Sequence, residues 1–100
     1  MSDITVTHNP DQSRYEAHID GAMAGWVDYQ EATDTIVLKH TEVDPAFEGR
    51  GIGSALARHT LDAVRADGGR KALIVCPFLI GWIGRNRDYA DLLYGSPSAD

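Results

Sequence analysis

The chain has 100 residues, a formal net charge of −6, and 43% apolar and 24% charged residues. That length points to one domain with a modest core, and the composition is that of an ordinary soluble protein. No apolar run approaches the roughly 20 residues of a membrane span, no basic run interleaved with aromatics offers a nucleic-acid footprint, and a single cysteine cannot close an internal disulfide.

The opening Met1-Ser2-Asp3-Ile4 lacks the basic and apolar regions of a secretory signal, so the expected compartment is the cytoplasm. The acidic balance suits a cationic partner such as an amine, or merely keeps the protein soluble. Ile4 to His8 alternates and reads as a first strand, closed by the turn Asn9-Pro10-Asp11. Arg14 to Asp20 alternates more clearly, with Tyr15, Ala17 and Ile19 on one face. Asp20-Gly21 signals a tight hairpin into a return strand, Met23 to Gln30. After the turn Glu31-Ala32-Thr33-Asp34, Thr35 to Val43 forms a fourth strand. The first half is therefore expected to be an antiparallel meander.

Asp44-Pro45 ends that strand, and a loop from Ala46 to Arg50 leads into a helix from about Gly51 to Ala66. Its apolar stripe is read as Ile52, Ala55, Leu56, Ala63 and Val64, with Thr60 among them. Asp67-Gly68-Gly69 stops it. Lys71 to Cys76 contains the unbroken apolar run Ala72-Leu73-Ile74-Val75, expected to be a strand buried on both faces and parallel to the fourth, across a right-handed crossover. Pro77 suits the first position of a helix capped by Cys76 and running from Phe78 to about Asn86. Asp88 to Leu93 gives a short last helix. Residues 1–94 form the expected single domain, and Gly95 to Asp100 a disordered tail.

The chemistry centres on Gly49-Arg50-Gly51-Ile52-Gly53-Ser54. Glycines at alternate positions let backbone approach a ligand closely, and the helix that follows presents unpaired N–H groups suited to a phosphate. A dinucleotide-binding turn would come early, with an acidic residue about 20 positions on; here four strands precede it, and Arg70 and Lys71 occupy that later region. A nucleotide-triphosphate loop needs a lysine after its last glycine, which Gly53-Ser54-Ala55 lacks.

The window Glu48-Gly49-Arg50-Gly51-Ile52-Gly53, between strand and helix, resembles the Arg/Gln-x-x-Gly-x-Gly/Ala signature of the GNAT superfamily of acyl-CoA-dependent N-acyltransferases. His40-Thr41-Glu42-Val43, Cys76-Pro77-Phe78 and the stretch from Trp82 to Leu92 extend the resemblance to a subfamily of very short GNAT-like proteins. Two departures stand out. Glu48 replaces the usual Arg or Gln, and Asn86-Arg87 replaces a common His-Pro. The resemblance implies an α+β fold: a mixed sheet of about five strands, a meander followed by a β-α-β unit, and short C-terminal helices. It implies acetyl-CoA as cofactor, with the diphosphate on amides of Gly49, Arg50, Gly51, Ile52, Gly53 and Ser54. It also implies that the strands flanking the helix splay apart. The pantetheine arm would lie in that gap against backbone near Thr41 and Val43, and the thioester would end near Cys76.

Three residues are candidates for catalysis: Cys76, Glu42 and His40. A thiol at a helix N-terminus can act as nucleophile or acid, or be a small apolar core residue. His40 and Glu42 lie two apart on a strand and so share a face, suiting a base that deprotonates an ammonium. Ile36 and Leu38 are expected on that same face, so His40 also reads as a hydrogen-bonded core residue, and Glu42 as a cap for the next turn. His8, His18 and His59 have no partner spacing, and no metal pattern appears. The expected function is acyl transfer to an unidentified amine, small or on a protein. The alternative is a non-catalytic module binding coenzyme A or a protein. No nucleic-acid or membrane partner is expected, and oligomeric state is open.

Overall fold

The structure, a computed structural model, describes residues 4–94. One five-stranded sheet has the order β1 (Ile4–Asn9), β2 (Arg14–Ile19), β3 (Ala22–Glu31), β4 (Thr35–Val43) and β5 (Lys71–Ile74). The first four pair antiparallel; β4 and β5 pair parallel. The expected α+β fold, with a meander followed by a β-α-β unit, is therefore what the chain adopts. The tail assigned to Gly95–Asp100 lies outside the described residues.

Local chemistry sets these elements. Asp20 and Gly21 both take positive φ, 51° and 82°, which matches the right-handed twist of the strands they join. Helix α1 (Ile52–Asp67) ends where Gly68 adopts φ 72° and returns its N–H to the Val64 carbonyl. α1 covers one face of the sheet. Leu38, Leu56, Leu61 and Val27 are fully enclosed between the two layers. Ala57 and Leu61, absent from the expected stripe, are completely buried, whereas Ala55 and Ala63 are only half-buried. The Thr60 hydroxyl is buried without a partner. α2 (Pro77–Arg85) and a 3-10 turn at Arg87–Leu92 complete the same layer through Leu79, Trp82, Ile83 and Tyr89.

Two expectations about β5 fail. It ends at Ile74 rather than Cys76, and it is buried on one face only: Ala72 and Cys76 face the core, while Leu73 and Val75 are 45% and 58% exposed. Among the described residues β5 is the last strand of the sheet, with a single bridge from Ala72 to Leu93 beyond it. A neighbouring strand and a second covering layer are what would have buried the other face.

Candidate functional site

The site forms where β4 and β5 part. Their pairing stops at Leu38–Ile74, yet β4 runs on to Val43. The N–H groups of Val75 and Cys76 both close on the Leu38 carbonyl, at 3.0 and 3.3 Å, and end the ladder there. Beyond that point β4 is paired only with β3.

A bulge decides which way the free stretch faces. Tyr29 pairs with Leu38 and Asp28 with His40, so Lys39 is an extra residue in β4. One extra residue exchanges the faces of everything after it. Ile36 and Leu38 are buried against α1, but past Lys39 it is Thr41 and Val43 that are half-buried, and His40 and Glu42 that are exposed. The expectation that His40 shares a face with Ile36 and Leu38 is therefore wrong. The backbone follows the same switch. Asp44 N–H donates to Ala24 O at 2.8 Å, which makes Gly25–Val43 and Val27–Thr41 the non-hydrogen-bonded pairs of the ladder. The N–H and C=O of Thr41 and Val43 consequently point away from β3, into the gap.

The glycine loop stands at the mouth of this gap. Asp44 accepts from Ala46 N–H at 2.9 Å and starts a 3-10 turn at Pro45–Phe47. Gly49 and Gly51 both have φ 81°, and a Cβ on either would meet nothing within 4 Å. Backbone conformation, not crowding, calls for glycine at these two positions. Gly53 differs: a Cβ there would lie 2.7 Å from Phe78 Cζ, so the loop is glycine at this position to admit the ring. Gly51 caps α1 without any side-chain hydrogen bond, which leaves the first-turn amides of Ile52, Gly53 and Ser54 free of a capping partner. An open groove of about 300 Å³ lies over them, lined by Val43, Phe47, Glu48, Gly51 and Phe78 among others. Arg50 is exposed with its guanidinium 5.5 Å from the Phe47 ring centroid. The Ser54 hydroxyl is engaged by Trp82 Nε1–H at 3.3 Å, so Ser54 offers its amide rather than its side chain.

The three catalytic candidates do not form one cluster. Cys76 is 3% exposed, at the N-cap of α2, with Sγ 3.4 Å from Thr41 Oγ1 across the core side of the gap. His40 Nε2 and Glu42 Oε1 are 3.9 Å apart on the opposite face, away from α1, with side chains 58% and 53% exposed. The gap lies between the two sets. Sequence reasoning missed the Thr41 hydroxyl as the partner of Cys76 and the Phe78 ring as a wall of the groove. Both are contacts between distant segments with no spacing signal. Of the aromatic residues, Tyr29, Trp82 and Tyr89 are buried, whereas Trp26 is half-exposed beside Glu42, its Nε1–H donating to Asp28 Oδ2 at 3.1 Å.

A smaller cavity of about 150 Å³ lies elsewhere, lined by His8, Tyr15, Asp67 and Arg70 among others. His8, Asp67 and Arg70 on its wall already have partners. His8 Nε2 lies 2.5 Å from the Tyr29 hydroxyl, and Arg70 bonds Glu31 and Asp67 at 2.9 and 3.4 Å. Burial raises the Tyr15 and Tyr29 phenols above their ordinary value. It reads as packing, whereas the gap and loop present unused donors and acceptors.

The sequence profile of the family described as GCN5-related N-acetyl-transferase matches residues 14–92. Protein NATD1 of Xenopus tropicalis is 31% identical over 87 residues, spanning 85% of this chain and 79% of that protein. Among solved structures, a GCN5-like protein of Staphylococcus aureus superposes with TM-score 0.70 at 18% identity, over 99% of this chain and 96% of that one. A ribosomal-protein-alanine N-acetyltransferase of Brucella melitensis biovar Abortus 2308 superposes with TM-score 0.61 at 15% identity, over 99% and 95%. These two likenesses speak for the fold, and the profile for descent: the chain belongs to the GCN5-related N-acetyltransferase family.

Proposed function

We propose that this chain is an N-acyltransferase that takes its acyl group from acetyl-CoA. The observation that carries the reading is the parting of β4 from β5, with the backbone of Thr41 and Val43 turned into the opening and an uncapped α1 N-terminus at its mouth. In this reading the amides of Gly51 to Ser54, with Arg50, hold the diphosphate. Backbone groups of Thr41 and Val43 take the amides of the pantetheine arm. Bound there, an acyl-CoA supplies an acyl group activated as a thioester.

Glu42, with His40 beside it, takes a proton from an incoming ammonium. The freed nitrogen would then attack a thioester carbonyl held in the gap: the new N–C bond would replace the C–S bond, and the second proton lost by the nitrogen would balance the one gained by the departing sulfur. Cys76 faces a neutral hydroxyl rather than a base, which favours direct transfer over an acyl-cysteine and makes Cys76 and Thr41 the far wall of the gap. Glu48 lines the groove as an anion, so affinity for a polyanion must come from the amides and Arg50.

Calorimetry with acetyl-CoA tests the reading. A dissociation constant well below about a millimolar, a binding free energy beyond about 4 kcal/mol, is expected. Weaker binding contradicts a dedicated site. Tight binding with no acyl loss across a panel of amines would favour a non-catalytic module. Unchanged turnover in Cys76→Ser is expected, and its abolition would restore the covalent route.

A further inference from the structure

The face of the sheet opposite α1 carries no helix among the described residues, and its composition changes across the gap. On the β2–β4 side it is charged. Glu16, Asp28 and Glu42 stand against one guanidinium, Arg14, with Trp26 in their midst. Trp26 lies directly opposite Glu42, and Asp28 directly opposite His40. Arg14 is already committed: its Nε bonds Glu16 at 2.6 Å while its guanidinium lies 5.1 Å from the Trp26 ring centroid. Arg14 stands directly opposite Asp28 on β2, yet among the described residues neither Asp28 nor Glu42 forms an ion pair with a lysine or arginine; Glu42 has only the His40 contact, and the two carboxylates are diagonal neighbours, about 7–8 Å apart along the face. On the β5 side the face is apolar, with Leu73 and Val75 exposed at the edge of the opening.

An ammonium reaching the gap from this face passes Glu42, with Asp28 and the Trp26 indole to one side and Val75 to the other. Small ligands are held in concave sites that bury most of their surface. This face is open, and from β3 to β5 it spans two strand spacings, about 10 Å. A small diamine has no use for the exposed Val75 and Leu73. An extended polypeptide spans that distance in three or four residues. Charge complementarity then selects its composition: basic over Asp28 and Trp26, apolar over Val75.

We propose that the helix-free face seats the acyl acceptor, and that this acceptor is an amine on a polypeptide segment with a basic residue on one side and an apolar residue on the other. The inference rests on the acyl-transfer reading for the word acceptor, but the surface is testable without turnover. The probe is a short peptide with a central lysine, an arginine before it and a leucine after it; the control replaces both flanks with alanine. The readout is the indole N–H resonance of Trp26, with that of buried Trp82 as internal reference.

The expected result is a saturable shift of the Trp26 signal by the arginine–leucine peptide, at least about fivefold tighter than the control and weakened by added salt. Asp28→Asn and Val75→Ser are each expected to weaken binding severalfold. Asp88→Asn, which removes the same charge from an exposed position in the C-terminal 3-10 turn, is expected to leave it unchanged. Equal binding of the control, an unmoved Trp26, or a tighter response to 1,4-diaminobutane would overturn the proposal. A peptide that binds as expected but is never acetylated supports the surface and counts against the acyl-transfer reading. Acetylation of the diamine without peptide binding does the reverse.

Discussion

The two halves of β4 belong to one strand and do opposite work. From Ile36 to Leu38 it is paired on both sides, and Ile36 and Leu38 pack against α1. From Lys39 to Val43 it is paired on one side, its exposed side chains are a histidine and a glutamate, and its free backbone edge borders an opening. The boundary is a single bulged residue and the last hydrogen bond to β5. In the proposed reading, one strand is divided between packing and chemistry. The division predicts that substitutions on either side of Lys39 act on different quantities.

The largest expected effect is in the closed half. Leu38→Ala removes a fully enclosed side chain and is expected to lower stability by about 2–5 kcal/mol in denaturant titration. A loss below about 1 kcal/mol would mean the two halves do not differ as described. In the open half, Glu42→Gln is expected to reduce turnover by about 10²-fold or more while shifting stability by less than about 0.5 kcal/mol. Unchanged turnover would remove Glu42 as the base.

Gly51→Ala sharpens the contrast from the loop. With φ at 81°, a Cβ there costs about 1–2 kcal/mol of backbone strain although it touches nothing. The expected outcome is roughly tenfold weaker binding of coenzyme A, read by calorimetry, as the amides lose their alignment. A variant that binds as tightly as the parent would show that the left-handed turn is dispensable.

The smallest effect concerns pH. The Arg14 hydrogen bond, aided by Asn9, holds the Glu16 carboxyl below its ordinary value of 4.5 despite the opposing effect of burial. A depressed carboxyl contributes stability that is present above the unfolded value and lost as pH falls through the folded one. Thermal midpoints are therefore expected to begin falling as pH drops through about 4.5 and to continue below it, and Glu16→Gln is expected to flatten that limb. The same acid limb in the variant would assign the loss to other carboxylates.

Much of this was legible in the sequence. Alternation at Tyr15, Ala17 and Ile19, the Asp20-Gly21 turn and the Gly68 stop each carry a local signal, and the meander, α1 and the glycine loop follow from them. The bulge at Lys39 carries no such signal. An extra residue leaves composition unchanged and is defined only against its partner strand, so the face of His40 was misread. Ala72-Leu73-Ile74-Val75 was misread for a different reason: an unbroken apolar run says nothing about which face is covered, and β5 is the last strand among the described residues. Gly53 was recognised as part of the loop, but its reason, the Phe78 ring against it, depends on two segments 25 positions apart in the chain meeting in space.

The central claim is that free backbone at the parting of two strands receives coenzyme A. Its most direct test is a titration of the isotope-labelled protein with coenzyme A, following backbone amide resonances. The account predicts the largest shifts at Gly51, Ile52, Gly53, Ser54, Thr41 and Val43. Shifts confined to the cavity around His8, Tyr15 and Arg70, with the loop and the open half of β4 unmoved, would contradict it.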